Sequence, residues 1–379
     1  MAFKFRGIFS KRNEKTLEET KVSILKASYT TLDISSLLEP LGGMQSFVRP
    51  GDRVLIKMNL LSPREPDEAV TTHPEILRAV IREVRNTGGL PYIGDSPAGI
   101  FSKRSLKKAY SCTGIEKLAM EENIPLNYDT GSRKIEVPDG EKIKKISLCN
   151  YLFEADKIIS LPKLKTHSYQ YMTLACKNMF GVVPGLTKAS YHALYPNKMS
   201  FADMLLDICQ FIKPHLSIMD GIKGMHGQGP AGGDPIEIGL IIASTDAISI
   251  DISVCKMLGI EPVGIPLLKR AKIRNLWPMK IEYPLEKPEN NIIKGFKLPS
   301  TASHLESGKK AVGKNPIITD KCILCGDCKR ICPREAIMIV DDRMDVDYSK
   351  CIRCYCCHEI CPENAIKLGR MKKEGILLR

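Results

Sequence analysis

Val54-Leu55-Ile56-Lys57-Met58-Asn59-Leu60, then Thr71-Thr72-His73-Pro74-Glu75-Ile76-Leu77-Arg78-Ala79-Val80-Ile81-Arg82-Glu83-Val84, then Pro91-Tyr92-Ile93-Gly94 are the three phrases that decide the fold of the larger part of this chain. The first is an unbroken apolar run, as expected of a strand buried on both faces. In the second, Ile76, Leu77, Val80, Ile81 and Val84 fall on one face of a helix. Thr72 and Glu75 read as a T-x-x-E capping box with Pro74 in the first turn, and Gly88-Gly89 supplies the stop. The third phrase is a strand again. Strand, helix, strand in about 45 residues is a β-α-β unit, which calls for a parallel sheet.

Outward from this unit the alternation continues. Thr113 to Glu116 is a second capping-box candidate, opening a helix to about residue 122. Lys157 to Leu161 is a strand, Gln170 to Met179 a helix, and Phe201 to Ile212 a stronger helix with Met204, Leu205, Ile208, Phe211 and Ile212 on one face. Leu216 to Asp220 and Ile236 to Ala243 read as strands around a Gly-rich loop, and Asp246 to Met257 as a helix. The expected fold class is α/β, a large domain over residues 22–282 whose mainly parallel sheet is flanked by helices. A polar segment (1–21) precedes it, and a linker or edge excursion follows at 283–315.

The C-terminal part writes one cysteine phrase twice: Cys322-Ile-Leu-Cys325-Gly-Asp-Cys328-Lys-Arg-Ile-Cys332-Pro333 and Cys351-Ile-Arg-Cys354-Tyr-Cys-Cys357-His-Glu-Ile-Cys361-Pro362. Each is C-x2-C-x2-C-x3-C-P, whose first three cysteines can wrap three irons of a 4Fe-4S cube from one loop; in the two-cluster ferredoxins that this spacing resembles, the fourth thiolate belongs to the other copy. Two 4Fe-4S clusters are therefore expected, one on Cys322, Cys325, Cys328 and Cys361, the other on Cys351, Cys354, Cys357 and Cys332. Lys321 and Lys350, Ile331 and Ile360, Ala336 and Ala365, and Ile337 and Ile366 recur at the same offset, so this is an internal repeat. Paired C-x2-C also makes zinc ribbons, but four close cysteines followed by proline, twice, suit cubes better. Cys356 falls outside the ligand set and reads as a passive neighbour of Cys357. Residues 316–369 resemble the bacterial-type two-cluster ferredoxins, which implies a small α+β ferredoxin-like domain. A basic tail, 370–379, ends the chain.

Of fourteen cysteines, nine lie in this repeat and five (Cys112, Cys149, Cys176, Cys209, Cys255) are scattered singly, which fits a reducing, anaerobic interior better than a disulfide scaffold. No run of eighteen apolar residues spans a membrane, and the first ten residues lack the apolar core of a secretory leader, so a cytoplasmic protein is expected. The formal charge is +13, from 56 basic and 43 acidic residues, and it is dispersed. That suits an acidic partner or an anionic small molecule. With aromatics at 6%, few stacking platforms are visible, and nucleic acid ranks last among partners.

In α/β sheets ligands gather beyond the carboxyl ends of the strands. Four polar groups answer that rule: Lys57 and Asn59 with Thr72 and His73; Asp95 and Ser96; Lys163, Lys165 and His167 at a spacing of two; and Asp220 with the Gly-rich run from His226. Each has a plain alternative. Thr72 and Asp95 cap and turn, alternating lysines are ordinarily solvated, and lone histidines are more often satisfied polar residues. The glycines after Asp220 lack the G-K-[ST] ending of a phosphate loop. Taken together, Leu161-Pro-Lys-Leu-Lys-Thr-His167, Lys177-Asn-Met-Phe-Gly181, Met219-Asp-Gly-Ile-Lys-Gly-Met-His-Gly-Gln-Gly-Pro230 and Asp246 resemble the family called domain of unknown function 362. Lys57-Met-Asn59, Thr72-His-Pro74 and Gly94-Asp-Ser-Pro97 extend the likeness over about residues 50–260, and members often carry a ferredoxin module.

The leading functional expectation is a low-potential reductase, a candidate iron-sulfur oxidoreductase. The clusters would feed single electrons to an anionic substrate or cofactor in the large domain. Lys57, Asn59, Thr72, His73, Asp95, Ser96, Lys163, Lys165, Lys177, Asp220 and His226 would bind it, and His167 or His192 would supply a proton. A flavin is a candidate acceptor that no motif supports, and no G-x-G-x-x-G follows a strand. The alternative is a non-catalytic electron relay or metallocofactor assembly factor acting on a protein partner, an electron donor or acceptor.

Overall fold

Arg53–Lys57, Leu90–Ile93 and Lys157–Ser160 form strands because their apolar side chains find cover on both faces of one sheet. Val54, Ile56 and Ile159 enter one apolar cluster, and Leu55 and Ile158 the other, as the alternation of a strand requires. The computed structural model describes residues 19–307 and 313–370. The polar segment to residue 18 and the basic tail from 371 lie outside the described residues.

Among the described residues eight strands make the central sheet. Along its main path the order is Ser23–Lys26, Asp234–Ser244, Leu216–His226, Lys157–Ser160, Arg53–Lys57, Leu90–Ile93. The last four are mutually parallel, and the first two are antiparallel additions at one edge. Lys163–His167 continues beside Leu216–His226 in parallel and folds back antiparallel onto Tyr171–Thr173. The fold is thus α/β with helices over a mainly parallel sheet. Helix Pro74–Asn86 buries the five residues that the periodicity selected. Each such aliphatic contributes about 1.5–3 kcal/mol on burial.

Several local readings are corrected. His73, not Thr72, caps helix Pro74–Asn86, its Nδ1 accepting from Glu75 N at 3.2 Å. Thr72 Oγ1 instead accepts from Asn59 N and donates to Leu161 O, tying two strand ends together. Thr113 closes helix Lys103–Cys112, which Ser102 and Ser105 cap, and helix Ile115–Glu121 starts after Gly114. Of the helix expected over Gln170 to Met179 only Ala175–Asn178 is α-helical, continued by a 3-10 turn at Met179–Val182. Pairing of Tyr171–Thr173 with Lys163–His167 takes the first part, and the Asp251 carboxylate caps the rest at Ala175 N and Cys176 N. The strand from Leu216 runs to His226, so most of the expected Gly-rich loop is hairpin.

The segment after residue 282 runs along the large domain as an edge excursion. Lys280–Glu282 pairs with Glu19–Lys21, Thr301 Oγ1 donates to Ser168 O at 2.6 Å, and Leu298 and Ala302 are buried. The cysteine-rich part is a pair of two-stranded sheets with two short helices, Asp327–Ile331 and Cys356–Ile360, packed together.

Candidate functional site

Where the parallel strands end, a cleft of about 90 Å³ opens between the large domain and the cysteine-rich part. Lys57, the last residue of its strand, is buried there. Its Nζ donates to Asp95 Oδ2 at 3.0 Å, Met58 O at 2.7 Å and Asn178 Oδ1 at 3.3 Å. Burial lowers the Lys57 pKa and raises that of Asp95, and each charge offsets part of the other's shift. A Cβ on Gly181 would stand 2.4 Å from both Lys57 Nζ and Asp95 Oδ1, so only glycine lets this backbone close over the pair. Lys188 donates to Ser96 Oγ at 3.1 Å and to Ser96 O and Pro97 O, and burial lowers its pKa to about 8.

Lys177, His192 and Asn59 also line the cleft, opposite Ile331, Cys356 and Glu359 of the cysteine-rich part. Burial raises the Glu359 pKa to about 7, against the pull of Lys177 and Lys165. His167 Nδ1 accepts from Tyr169 N and Gln170 N, which leaves the proton on Nε2, 3.2 Å from Glu359 Oε1 but outside hydrogen-bond alignment. Lys165 Nζ donates to Val70 O at 2.6 Å. Burial holds both Lys165 and His167 well below their usual pKa.

A second polar knot lies around Asp220. Its carboxylate accepts from Lys163 Nζ at 2.7 Å, His73 N at 3.0 Å and Tyr29 O–H at 3.1 Å, and the Tyr29 ring stacks on His73 at 3.7 Å. The sequence-selected residues therefore divide. Lys57, Asn59, Asp95, Ser96, Lys177 and His192 share the cleft; His73, Lys163 and Asp220 form the knot; Lys165 and His167 lie on the strand Lys163–His167. His226 stands apart, its Nδ1 accepting from Lys297 N. The lysines at 163 and 165 are not solvated: both are at most 1% exposed.

The cysteines ring two small cavities. Cys322, Cys325, Cys328 and Cys361 line one; Cys332, Cys351, Cys354 and Cys357 line the other, with Cys356 beside them. Thus Cys332 and Cys361 cross between the copies. Their sulfurs accept matching backbone bonds, from Ala336 N and Ala365 N, each at 3.2 Å. Among the described residues no three such side chains converge on a single point. A zinc ion holds its thiolates about 2.3 Å from its centre, whereas thiolates around a cube sit at its corners. The donor sets fit iron-sulfur clusters.

Sequence reasoning missed Lys188, Asn178 and Glu359. Lys188 stands one helical turn before His192, a spacing that could have drawn it in. The repeat itself marks Glu359. Gly326, Asp327, Lys329 and Arg330 of the first copy correspond to Tyr355, Cys356, His358 and Glu359 of the second. Lys329 and Arg330 are exposed, while Tyr355, Cys356 and His358 are buried against the large domain. His358 Nε2 meets Gln228 O at 2.9 Å, and Cys354 and Cys356 pack on Ala189 of the helix bearing Lys188 and His192.

Burial lowers the His192 pKa to about 3, so below pH 6.5 the unfolded chain takes a proton that the folded chain refuses. Stability contributed by neutral His192 is complete above about pH 6.5 and is lost as pH falls toward 3. Substituting His192→Phe removes this penalty. Between pH 7 and pH 5 the variant should lose about 2 kcal/mol less stability than the parent in urea titrations. Equal losses would show that His192 is protonated in the folded protein.

Residues 54–256 match the family model described as a domain of unknown function (DUF362), and residues 314–362 match that of a 4Fe-4S dicluster domain. The thylakoid-associated protein sll1697 of Synechocystis sp. is 37% identical over 278 residues, 73% of this chain and 85% of that protein. The lactate racemase apoprotein from Thermoanaerobacterium thermosaccharolyticum aligns at 14% identity, over 56% of this chain and 52% of that one, with a TM-score of 0.39. A Thermotoga maritima protein aligns at 12% identity over 53% and 52%, with a TM-score of 0.30. Among the described residues no helix is long and apolar enough to cross a membrane. By the match of its large domain and by this identity to a relative along most of its length, the chain belongs to the DUF362 family, carrying a C-terminal iron-sulfur electron-transfer domain of the 4Fe-4S dicluster type.

Proposed function

We propose that this protein is a low-potential reductase that passes single electrons to a small anion bound in the cleft. The observation that carries the reading is the shared wall: Lys57, Lys177, Lys188 and His192 face Ile331, Cys356 and Glu359 across one cavity. In this reading Cys322, Cys325, Cys328 and Cys361 hold one cluster, and Cys351, Cys354, Cys357 and Cys332 the other. Bound there, the clusters supply electrons at potentials down to several hundred millivolts below zero. Lys177 and Lys188 bring positive charge to the anion, and His192, which burial keeps neutral, offers it a ring N–H, with neutral His167 behind Glu359.

The two loops differ in exposure, which supports a direction. Cys325 is exposed beside Ile323 and Leu324, 61% and 44% exposed, while Cys354, Cys356 and Cys357 are buried. Electrons enter at the first loop and leave at the second, the one that walls the cleft. The cleft is far smaller than the about 300–1,000 Å³ of a drug-sized site, which favours a small acceptor over a flavin. The exposed Ile323 and Leu324 also favour a second reading, an electron relay or cofactor-assembly subunit that docks a protein there. A cytoplasmic, anaerobic setting belongs to the proposal, since the first loop leaves its cluster open to oxygen.

The test is protein purified without oxygen, assayed for iron and sulfide, with mass spectrometry of small molecules released on denaturation. About eight irons with a stoichiometric small anion is the expected result. The same iron with no released molecule, and no acid that reoxidises the reduced protein, would move the assignment to the relay.

A further inference from the structure

Polar groups in the cleft fall into two sets. Lys57, Asp95, Ser96, Asn178 and Lys188 are all engaged with one another or with backbone. A different set is left over. Among the described residues Lys177 Nζ has no hydrogen bond or ion pair, and Asn59 Oδ1 and His192 Nδ1 are buried without a hydrogen-bond partner, His192 being 5% exposed. Glu359 Oε1, on the facing wall, is likewise without a hydrogen bond. Buried polar atoms are rarely left unpaired, and the residues that carry these, Asn59, His192 and Glu359, all line one cavity together with Lys177.

The orientation of Asn59 is fixed by its neighbours. Asn178 Oδ1 accepts from both Lys57 Nζ and Asn59 Nδ2, and Asn178 Nδ2 donates to Ser160 Oγ. Asn59 must therefore turn its amide nitrogen to Asn178, which leaves its oxygen as a free acceptor. A ligand that fills the cleft and displaces water from this acceptor must supply an O–H or N–H in its place. Three lysines against two carboxylates, Asp95 and Glu359, give the walls an excess of positive charge, and Lys177, which feels Glu359 only at a distance, is the lysine without a hydrogen bond or ion pair among the described residues. The cavity of about 90 Å³ favours a small ligand over a ring system or a nucleotide.

From these observations we infer that the cleft binds a small carboxylate bearing a hydroxyl or amide donor, its carboxylate on Lys177 and His192 and its donor on Asn59 Oδ1. The inference rests on the cleft being the functional site but requires no electron transfer. A bare carboxylate leaves Asn59 Oδ1 buried and unpaired; a hydroxylated one does not. The cost of an unpaired buried acceptor is what discriminates between them.

Anaerobic isothermal titration calorimetry of the oxidised, cluster-loaded protein tests this with three probes: glycolate, acetate and inorganic phosphate. Glycolate should bind about tenfold more tightly than acetate, the discrimination expected for one buried hydrogen bond. Asn59→Ala should bring the two within about twofold, and Lys177→Gln should weaken both by about tenfold, at unchanged iron content and circular dichroism. Equal binding of glycolate and acetate by the parent, a preference that survives in Asn59→Ala, tighter binding of phosphate, or no binding of any probe at millimolar concentration would each overturn it. Glycolate binding that leaves the electron paramagnetic resonance spectrum of the reduced protein unchanged would keep the carboxylate site and remove the reductase reading.

Discussion

Asp220→Ala lowers the unfolding free energy by about 3–5 kcal/mol, read as a shift of the urea midpoint at constant slope. Lys163 and Asp220 are each 0% exposed in their side chains and 2.7 Å apart. Burial drives the Lys163 pKa down and Asp220 drives it up, so removing the carboxylate leaves an ammonium with a desolvation cost and no counter-charge. The loss extends beyond the pair, because His73 N, Ile222 N and Tyr29 O–H donate to the same carboxylate. Adding Lys163→Met to Asp220→Ala should recover part of the stability, since the orphaned charge disappears with it. A loss below about 1 kcal/mol would mean that the pair behaves like a solvated surface bridge.

Cys357→Ser removes about half of the iron and abolishes the electron paramagnetic resonance signal of one cluster, while far-ultraviolet circular dichroism of the large domain persists. Cys357 is buried and lines the cavity shared with Cys332, Cys351 and Cys354. Cys325→Ser should remove the other half, so each variant isolates one cluster. With Cys357→Ser, the remaining cluster is that of the exposed loop. Its signal should relax faster on addition of an external paramagnetic chelate than the signal left in Cys325→Ser. Equal relaxation in the two variants would remove the direction of electron flow, and full iron retention in either would remove the ligand assignment.

How much of this was legible in the sequence depended on whether a signal was local. The helix Pro74–Asn86 and the strand Arg53–Lys57 were, because apolar periodicity over a few turns already states which face is buried. The cysteine repeat was legible too, since spacing limits which thiols one loop can present, and the likeness to two-cluster ferredoxins anticipated that Cys332 and Cys361 line the cavity of the other copy. The capping box at Thr72 was misread because Thr72 Oγ1 is claimed by Asn59 and Leu161, the latter far along the chain. The helix expected over Gln170 to Met179 yielded to a long-range demand, strand pairing with Lys163–His167.

The sequence by itself determined the layered α/β architecture, the paired cysteine cavities and most of the residues that meet at the strand ends. The first two follow from side-chain period and ligand spacing, which are properties of short segments, and the third from where the strands end and from the family likeness. Tertiary structure alone decided that Lys57, Lys163 and Lys165 are buried and which partner each has, and that the two copies of one repeat face different surroundings. Glu359 shows the reason. In the sequence it is one acid inside a cysteine loop, corresponding to exposed Arg330 in the first copy. Only packing of that loop against Ala189 brings its carboxylate to Lys177, His167 and His192, and so places a charge in a cleft that no stretch of chain encodes alone.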